Sequence, residues 1–171
     1  MKLLEIKHRH FIKSSEKKEL IEQIGKKYSQ SFVNKVFPKK PQVEKITLDN
    51  GDDLFVINNK LSLWKQGKDY IPLLSLLLKD DLGLMTIVVD EGAIKFVTNG
   101  ADIMRPGITK IDPAIKQGDI VRISDENHDR ILAIGRAMFN AAEMEKKDSG
   151  KVVKNLHTIT DRVWKFAKNF K

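Results

Sequence analysis

Nineteen residues, Asp90 to Ile108, read DEGAIKFVTNGADIMRPGI and set a helix start, a helix stop and two turns in close succession. Asp90 is placed to cap a helix, because its carboxylate can accept the free N–H groups of a first turn. Ala93, Ile94, Phe96 and Val97 then supply an apolar helical face. Asn99-Gly100 ends that helix, since both residues tolerate the left-handed backbone of a C-terminal cap. Beyond it lies a loop without bulk, Gly100-Ala101-Asp102, and then the turn Arg105-Pro106-Gly107. A bare loop lets a large flat ligand approach the main chain closely. Arg105 beside it offers a planar donor fork suited to phosphate. Gly92, Gly100 and Gly107 serve turns and caps first; exposing main-chain donors beside Arg105 is the additional reading.

The rest of the chain limits what that segment can belong to. Its 171 residues suffice for one medium domain or two small ones. With 41% hydrophobic and 32% charged residues it can build packed cores, so disorder is not the default. The absence of cysteine excludes disulfides and thiolate metal sites, and fits a reducing compartment. Glu5, Lys7 and Arg9 break the apolar start MKLLEIKHRH, which is too short and too charged for a signal peptide. The apolar run Ile71 to Leu78 falls well short of a membrane span. A cytoplasmic protein without membrane attachment is expected. The net charge of +8 favours anionic partners, nucleic acid first. Lysine outnumbers arginine 25 to 6, so much of that charge is ordinary surface solvation and the arginines are the more informative residues.

Residues 14–28 read as an amphipathic helix with Ser14 or Ser15 as N-cap and Leu20, Ile21, Ile24 and Tyr28 on one face. Phe32, Val33, Val36 and Phe37 form a second short apolar face, stopped by Pro38 and Pro41. Val43–Leu48 and Leu54–Ile57 alternate as strands around the hairpin signal Asp49-Asn50-Gly51. Leu61–Trp64 is a third strand, and Pro72 opens a short helix through Lys79. Asp80-Asp81-Leu82-Gly83 is the domain boundary. After it come strands at Met85–Val89, Ile108–Ile111, Ile120–Ser124 and Arg130–Arg136, a helix at Asn140–Lys147, and a last strand from Lys151 to Asn155. Short strands at this spacing favour a barrel. His157 to Phe170 continues as a tail carrying Trp164.

Signals for catalysis are lacking. His8, His10, His128 and His157 form no HExxH arrangement, and there is no P-loop, dinucleotide-binding GxGxxG or GxSxG elbow. No metal, cofactor or enzymatic activity is expected. Among the aromatic residues, Phe11, Phe32, Phe37 and Phe55 are read as N-terminal core and Phe96 as part of its helix's core face. Trp64 and Tyr70, near turns, are the candidates for exposed contacts, whereas Trp164 is read as packing on the barrel. Arg122 and Arg130 are placed to pair with Asp125 and Asp129 across a hairpin.

The segment EGAIKFVTNGADIMRPGI resembles the opening helix and loop of PUA domains, small RNA-binding barrels found in pseudouridine synthases and archaeosine transglycosylases. It is most similar to the PUA domain of the malignant T-cell-amplified protein and ligatin family with its archaeal relatives. Those proteins carry a small α+β module ahead of the PUA domain, a layout that residues 1–80 and the run Ile71-Pro72-Leu73-Leu74 match. The resemblance implies an α+β protein: an N-terminal pre-PUA module over residues 1–82 and a PUA pseudo-barrel over 83–171. It implies that the helix-and-loop face docks on structured RNA, near a tRNA acceptor end or on rRNA. Gly100, Ala101, Asp102 and Gly107 would then allow close approach, and Lys95 and Arg105 would meet phosphate. Arg136, Lys151 and Lys154 would extend the phosphate track, while Met104 and Pro106 shape the loop. The function implied is a non-enzymatic translation factor on the small ribosomal subunit, with an initiation-factor-like protein partner at the N-terminal module. The alternatives are an accessory subunit presenting tRNA or rRNA to a modification enzyme, and a protein-interaction module with incidental charge.

Overall fold

Left-handed residues at loop tips fold the N-terminal half into a meander. Gly51 (φ +91°) turns β2 (Val43–Leu48) into β3 (Asp53–Ile57), and Asn58 and Asn59 (φ +48° and +67°) turn β3 into β4 (Lys60–Gln66). Both are hairpin conformations that Asn and Gly adopt at low cost. With β1 (Ile6–Phe11) and β5 (Asp69–Pro72) they form a five-stranded antiparallel sheet, order β1-β2-β3-β4-β5. Helices α1 (Ser14–Lys27) and α2 (Gln30–Val36) sit between β1 and β2 in the chain, and α3 (Leu74–Leu77) follows β5. Their buried faces, Leu20 and Ile24 on α1 and Phe32, Val33 and Val36 on α2, join Ile46, Leu48, Leu54, Leu63 and Ile71 of the sheet in the core.

This computed structural model describes residues 2–170. The chain divides into two compact units. One runs up to Gly83 and takes in the residues from Lys165 onward; the other is Leu84–Trp164. Within the first, the Arg9 guanidinium lies 5.1 Å from the ring centroid of Phe170.

Several local expectations change here. Helix α1 begins at Ser14 itself, so Lys13 holds the cap position and no side chain caps the helix. Pro72 ends β5 rather than opening a helix; β5 is an edge strand, where the missing N–H costs little. Phe11 is 62% exposed, because β1 is the opposite edge and none of its six residues is buried. Phe32, Phe37 and Phe55 are buried as expected. Trp64 and Tyr70 are only partly exposed: Trp64 stands mid-strand opposite Ile71, and Tyr70 packs edge-on to Phe55.

The second unit is a nearly closed, barrel-like sheet of order β7-β11-β10-β9-β6-β8. Its strands are β6 (Thr86–Val89), β7 (Ile103–Met104), β8 (Ile108–Ile111), β9 (Ile120–Asp125), β10 (Ile131–Ala137) and β11 (Lys151–Thr158). Only the β6–β9 pair is parallel among the described pairings. Helix α4 (Glu91–Thr98) follows β6 and α5 (Ala141–Lys146) follows β10. Ile87, Val97, Ile103, Ile123, Leu132, Met144 and Val153 fill the interior. The expected tail is ordered differently. His157 and Thr158 finish β11, and buried His157 bonds Asp161 through Nδ1 at 2.7 Å. Asp161 then accepts the Trp164 N–H at 2.7 Å, opening α6 (Arg162–Lys168).

The β9–β10 hairpin is organised by Asp125. Its carboxylate is buried and accepts N–H bonds from Asn127, His128 and Arg130 and the Arg130 Nε at 2.9 Å. Arg122 pairs with Asp129 at 3.0 Å, so both expected hairpin pairs form. Burial by itself would raise the Asp125 carboxyl; the bonds from His128 and Arg130, with the Arg130 charge, outweigh it and hold the group at about 2. A carboxyl depressed on folding contributes stability above its unfolded range and loses it as pH falls through the folded value. The C-terminal unit should therefore lose stability between about pH 4 and pH 2. Chemical denaturation across that window should show the slope in the native chain and a weaker one in Asp125→Asn.

Candidate nucleic-acid interface

The segment from Asp90 to Ile108 builds one wall of a cleft. Asp90 caps α4, its Oδ1 accepting the Ala93 N–H at 2.9 Å, and its own N–H bonds the Gly107 carbonyl at 2.8 Å. Gly100 (φ +92°) releases the chain at the far end, and its N–H bonds Val97 O. The Arg105–Gly107 turn packs against α4 so tightly that a Cβ on Gly107 would lie 3.1 Å from the Ala93 Cβ. Between helix, loop and turn opens a cleft of about 550 Å³, lined by Gly92, Ala93 and Phe96 of α4, by Ala101 and Asp102, and by Met104, Pro106, Gly107 and Lys151.

Its lining is mainly apolar, with two large side chains turned outward. Phe96 is 66% exposed and Met104 45% exposed. The expectation that Phe96 belongs to the core face is corrected: Ala93, Ile94 and Val97 face inward instead. At about 100° per residue, Phe96 falls roughly a third of a turn from the centre of that buried stripe.

The predicted site residues separate into distinct settings. Gly100 and Ala101 are exposed at the loop, and Asp102 is held beneath them, its Oδ1 accepting the Asn155 N–H at 2.9 Å. Lys151 meets Asp102 at 3.5 Å and so stands at the cleft mouth. Lys95 is exposed on α4 but does not line the cleft. On β11, Val152 and Val153 are both buried because the β7 register shifts there, which returns Lys154 to the exposed side. Arg136 stands opposite Lys154 across the β10–β11 ladder. Arg105 turns inward: Nε donates to Met144 O at 2.7 Å, Nη1 to Ile108 O at 3.2 Å, and Nη2 lies 3.6 Å from Glu145.

Asn155 was missed by sequence reading. Its side-chain amide donates to both Val97 O and Ala101 O at 2.9 Å, stapling the end of α4 and the loop to β11. No local signal announces a bond spanning 58 residues. Among the described residues no group of three or more His, Asp or Glu could hold a metal ion, and no helix is long and apolar enough to cross a membrane.

Barrel, capped helix and cleft define a PUA-type domain. The Pre-PUA-like domain model matches residues 2–79 and the PUA domain model residues 85–159. A Methanocaldococcus jannaschii protein is 37% identical over 163 residues, covering 95% of this chain and 99% of that protein. Translation machinery-associated protein 20 of Saccharomyces cerevisiae is 31% identical over 171 residues, covering 95% and 94%. A crystal structure from Pyrococcus horikoshii superposes with a TM-score of 0.80 at 32% identity, covering 94% of this chain and 99% of that one. The chain belongs to the family of pre-PUA and PUA proteins that includes translation machinery-associated protein 20 and the malignant T-cell-amplified sequences.

Proposed function

We propose that this protein is a non-enzymatic RNA-binding factor of translation, and that the α4 cleft holds a structured RNA end such as the tRNA acceptor. Membership of the PUA family supports RNA as the ligand, and the name of the yeast relative supports the translation machinery as the setting. The observation that carries the reading is the outward pair Phe96 and Met104 over an apolar cleft with Lys151 at its mouth. An exposed aromatic ring offers a base a stacking surface, and nearby lysines offer its phosphates a countercharge. RNA helices present mainly shape, phosphate and 2′-hydroxyl, which the low loop Gly100–Asp102 can approach. Lys95, Lys151, Lys154 and Arg136 supply the charge in this reading. Arg105, engaged by carbonyls, supports the turn rather than the ligand. The small ribosomal subunit is the proposed place of work in the cytoplasm, with an initiation-factor-like protein at the N-terminal unit.

The test is binding to labelled tRNA and to a matched unstructured RNA across a salt series. A preference for tRNA that weakens steeply with salt is expected. Phe96→Ala should cost about 10-fold or more in tRNA affinity, the scale of one lost base stack. It should leave unfolding unchanged, because the ring is exposed. Equal, weak binding to both RNAs, indifferent to Phe96, would overturn the reading.

A further inference from the structure

In the first unit, where β1 ends and α1 begins, three exposed lysines stand outside the ion pairs of the described residues. The Ile12 N–H donates to Val43 O at 3.0 Å, closing the end of β1 on the start of β2. Lys17 Nζ donates to Pro41 O at 2.9 Å, tying the start of α1 to the loop before β2. That loop reads Pro38-Lys39-Lys40-Pro41, two lysines held between residues of fixed φ. Lys13, Lys39 and Lys40 are exposed and have no ion-pair partner among the described residues. Of the acids nearby, Glu44 is engaged by Arg9 at 2.9 Å, while Glu16 and Glu19 line an adjoining cleft of about 230 Å³ with Ile12, Lys45 and Lys65. Phe11, the cross-strand neighbour of Glu44, stands at the same corner with its ring 62% exposed.

We propose that this corner is a second RNA contact, taking the phosphates of a single-stranded segment on Lys13, Lys39 and Lys40 with a base against Phe11. Exposed cations that the protein leaves unmatched are complementary to a polyanion, and an exposed ring beside them suits an unpaired base. Prolines on either side limit the freedom that Lys39 and Lys40 lose on binding. A partner strand on the free edge of β1 is disfavoured. The edge carries Lys7, His8, Arg9 and His10, and its register shifts between Ile6 and His8. Charged, bulged edges resist pairing. A second copy of the chain would bring the same charges against each other. The proposal rests on RNA being the ligand of this protein, but it uses residues of the first unit alone.

The experiment is titration of the full chain with labelled oligouridylate over a salt series, comparing Lys39→Glu/Lys40→Glu, Phe11→Ala and Phe96→Ala with the native chain. The changed side chains at the corner are exposed, and circular dichroism with thermal melting should confirm unchanged folding. The charge variant should bind about tenfold more weakly or worse, and its salt slope should flatten by about 1.4, or 0.7 per lost phosphate contact. Phe11→Ala should lose at least about fivefold with the slope unchanged. Native binding by both corner variants overturns the proposal, even if Phe96→Ala weakens tRNA binding and so upholds the cleft. Weaker oligouridylate binding in the corner variants, with Phe96→Ala binding it like the native chain, upholds the corner as a site apart from the cleft, which the tRNA titration tests. Tighter binding of polyglutamate than of oligouridylate at equal salt would mark a protein-facing surface and also overturn it.

Discussion

Gly135→Ala should lower the stability of the C-terminal unit by about 3 kcal/mol. Gly135 lies in β10 where its register with β11 shifts, and the two strands run together too closely for a side chain. A methyl there would meet Val153 Cγ1 at 2.5 Å, the Lys154 carbonyl oxygen at 2.8 Å and Ile123 Cδ1 at 3.1 Å. A valine branch can rotate away, but the carbonyl belongs to the main chain of the partner strand and yields only if the ladder moves. Overpacking of a filled interior costs about 1–3 kcal/mol, and a backbone contact puts this site at the upper end. The strand that must shift also carries Lys151, Lys154 and Asn155, so RNA affinity should fall with stability. Urea denaturation of the native and variant chains measures the first effect. A loss below about 0.5 kcal/mol would show that the strands separate freely there.

Arg105→Ala should also cost about 3 kcal/mol, because two carbonyls lose a charged donor inside the unit. The side chain reaches Met144, 39 residues along the chain, and Ile108 on the next strand. It thereby fastens the turn under the cleft to α5. Lysine should not restore it, since a single ammonium cannot reproduce the directed fork. Hydrogen exchange should quicken at Arg105–Ile108 and around Met144 in Arg105→Ala. RNA affinity should fall alongside stability, whereas Phe96→Ala lowers affinity alone. Weakened RNA binding with unfolding and exchange unchanged would return Arg105 to the role of a phosphate ligand.

Helix α4 was legible in the sequence because both its ends are written locally: Asp90 caps it through a bond three residues long, and Gly100 ends it with a backbone few other residues adopt. The barrel was legible from strand spacing, and the pre-PUA and PUA pairing from the motif's resemblance to a family. The departures share a different cause. Whether Phe96 faced in or out depended on which side of a two-turn helix met the sheet. Whether Phe11 was core depended on β1 lying at an edge. The direction of Arg105 depended on carbonyls of α5 and β8, and the loop's anchor on Asn155 of β11. Each is a contact between distant parts of the chain, which residue spacing does not encode.

Amide chemical-shift mapping of the full chain during titration with tRNA locates the ligand most directly. Binding in the α4 cleft predicts that the largest shifts fall on Gly92–Phe96, Ala101–Met104 and Lys151, and that Phe96→Ala needs about tenfold more tRNA to produce them. Saturable tRNA binding that leaves these amides in place would contradict it.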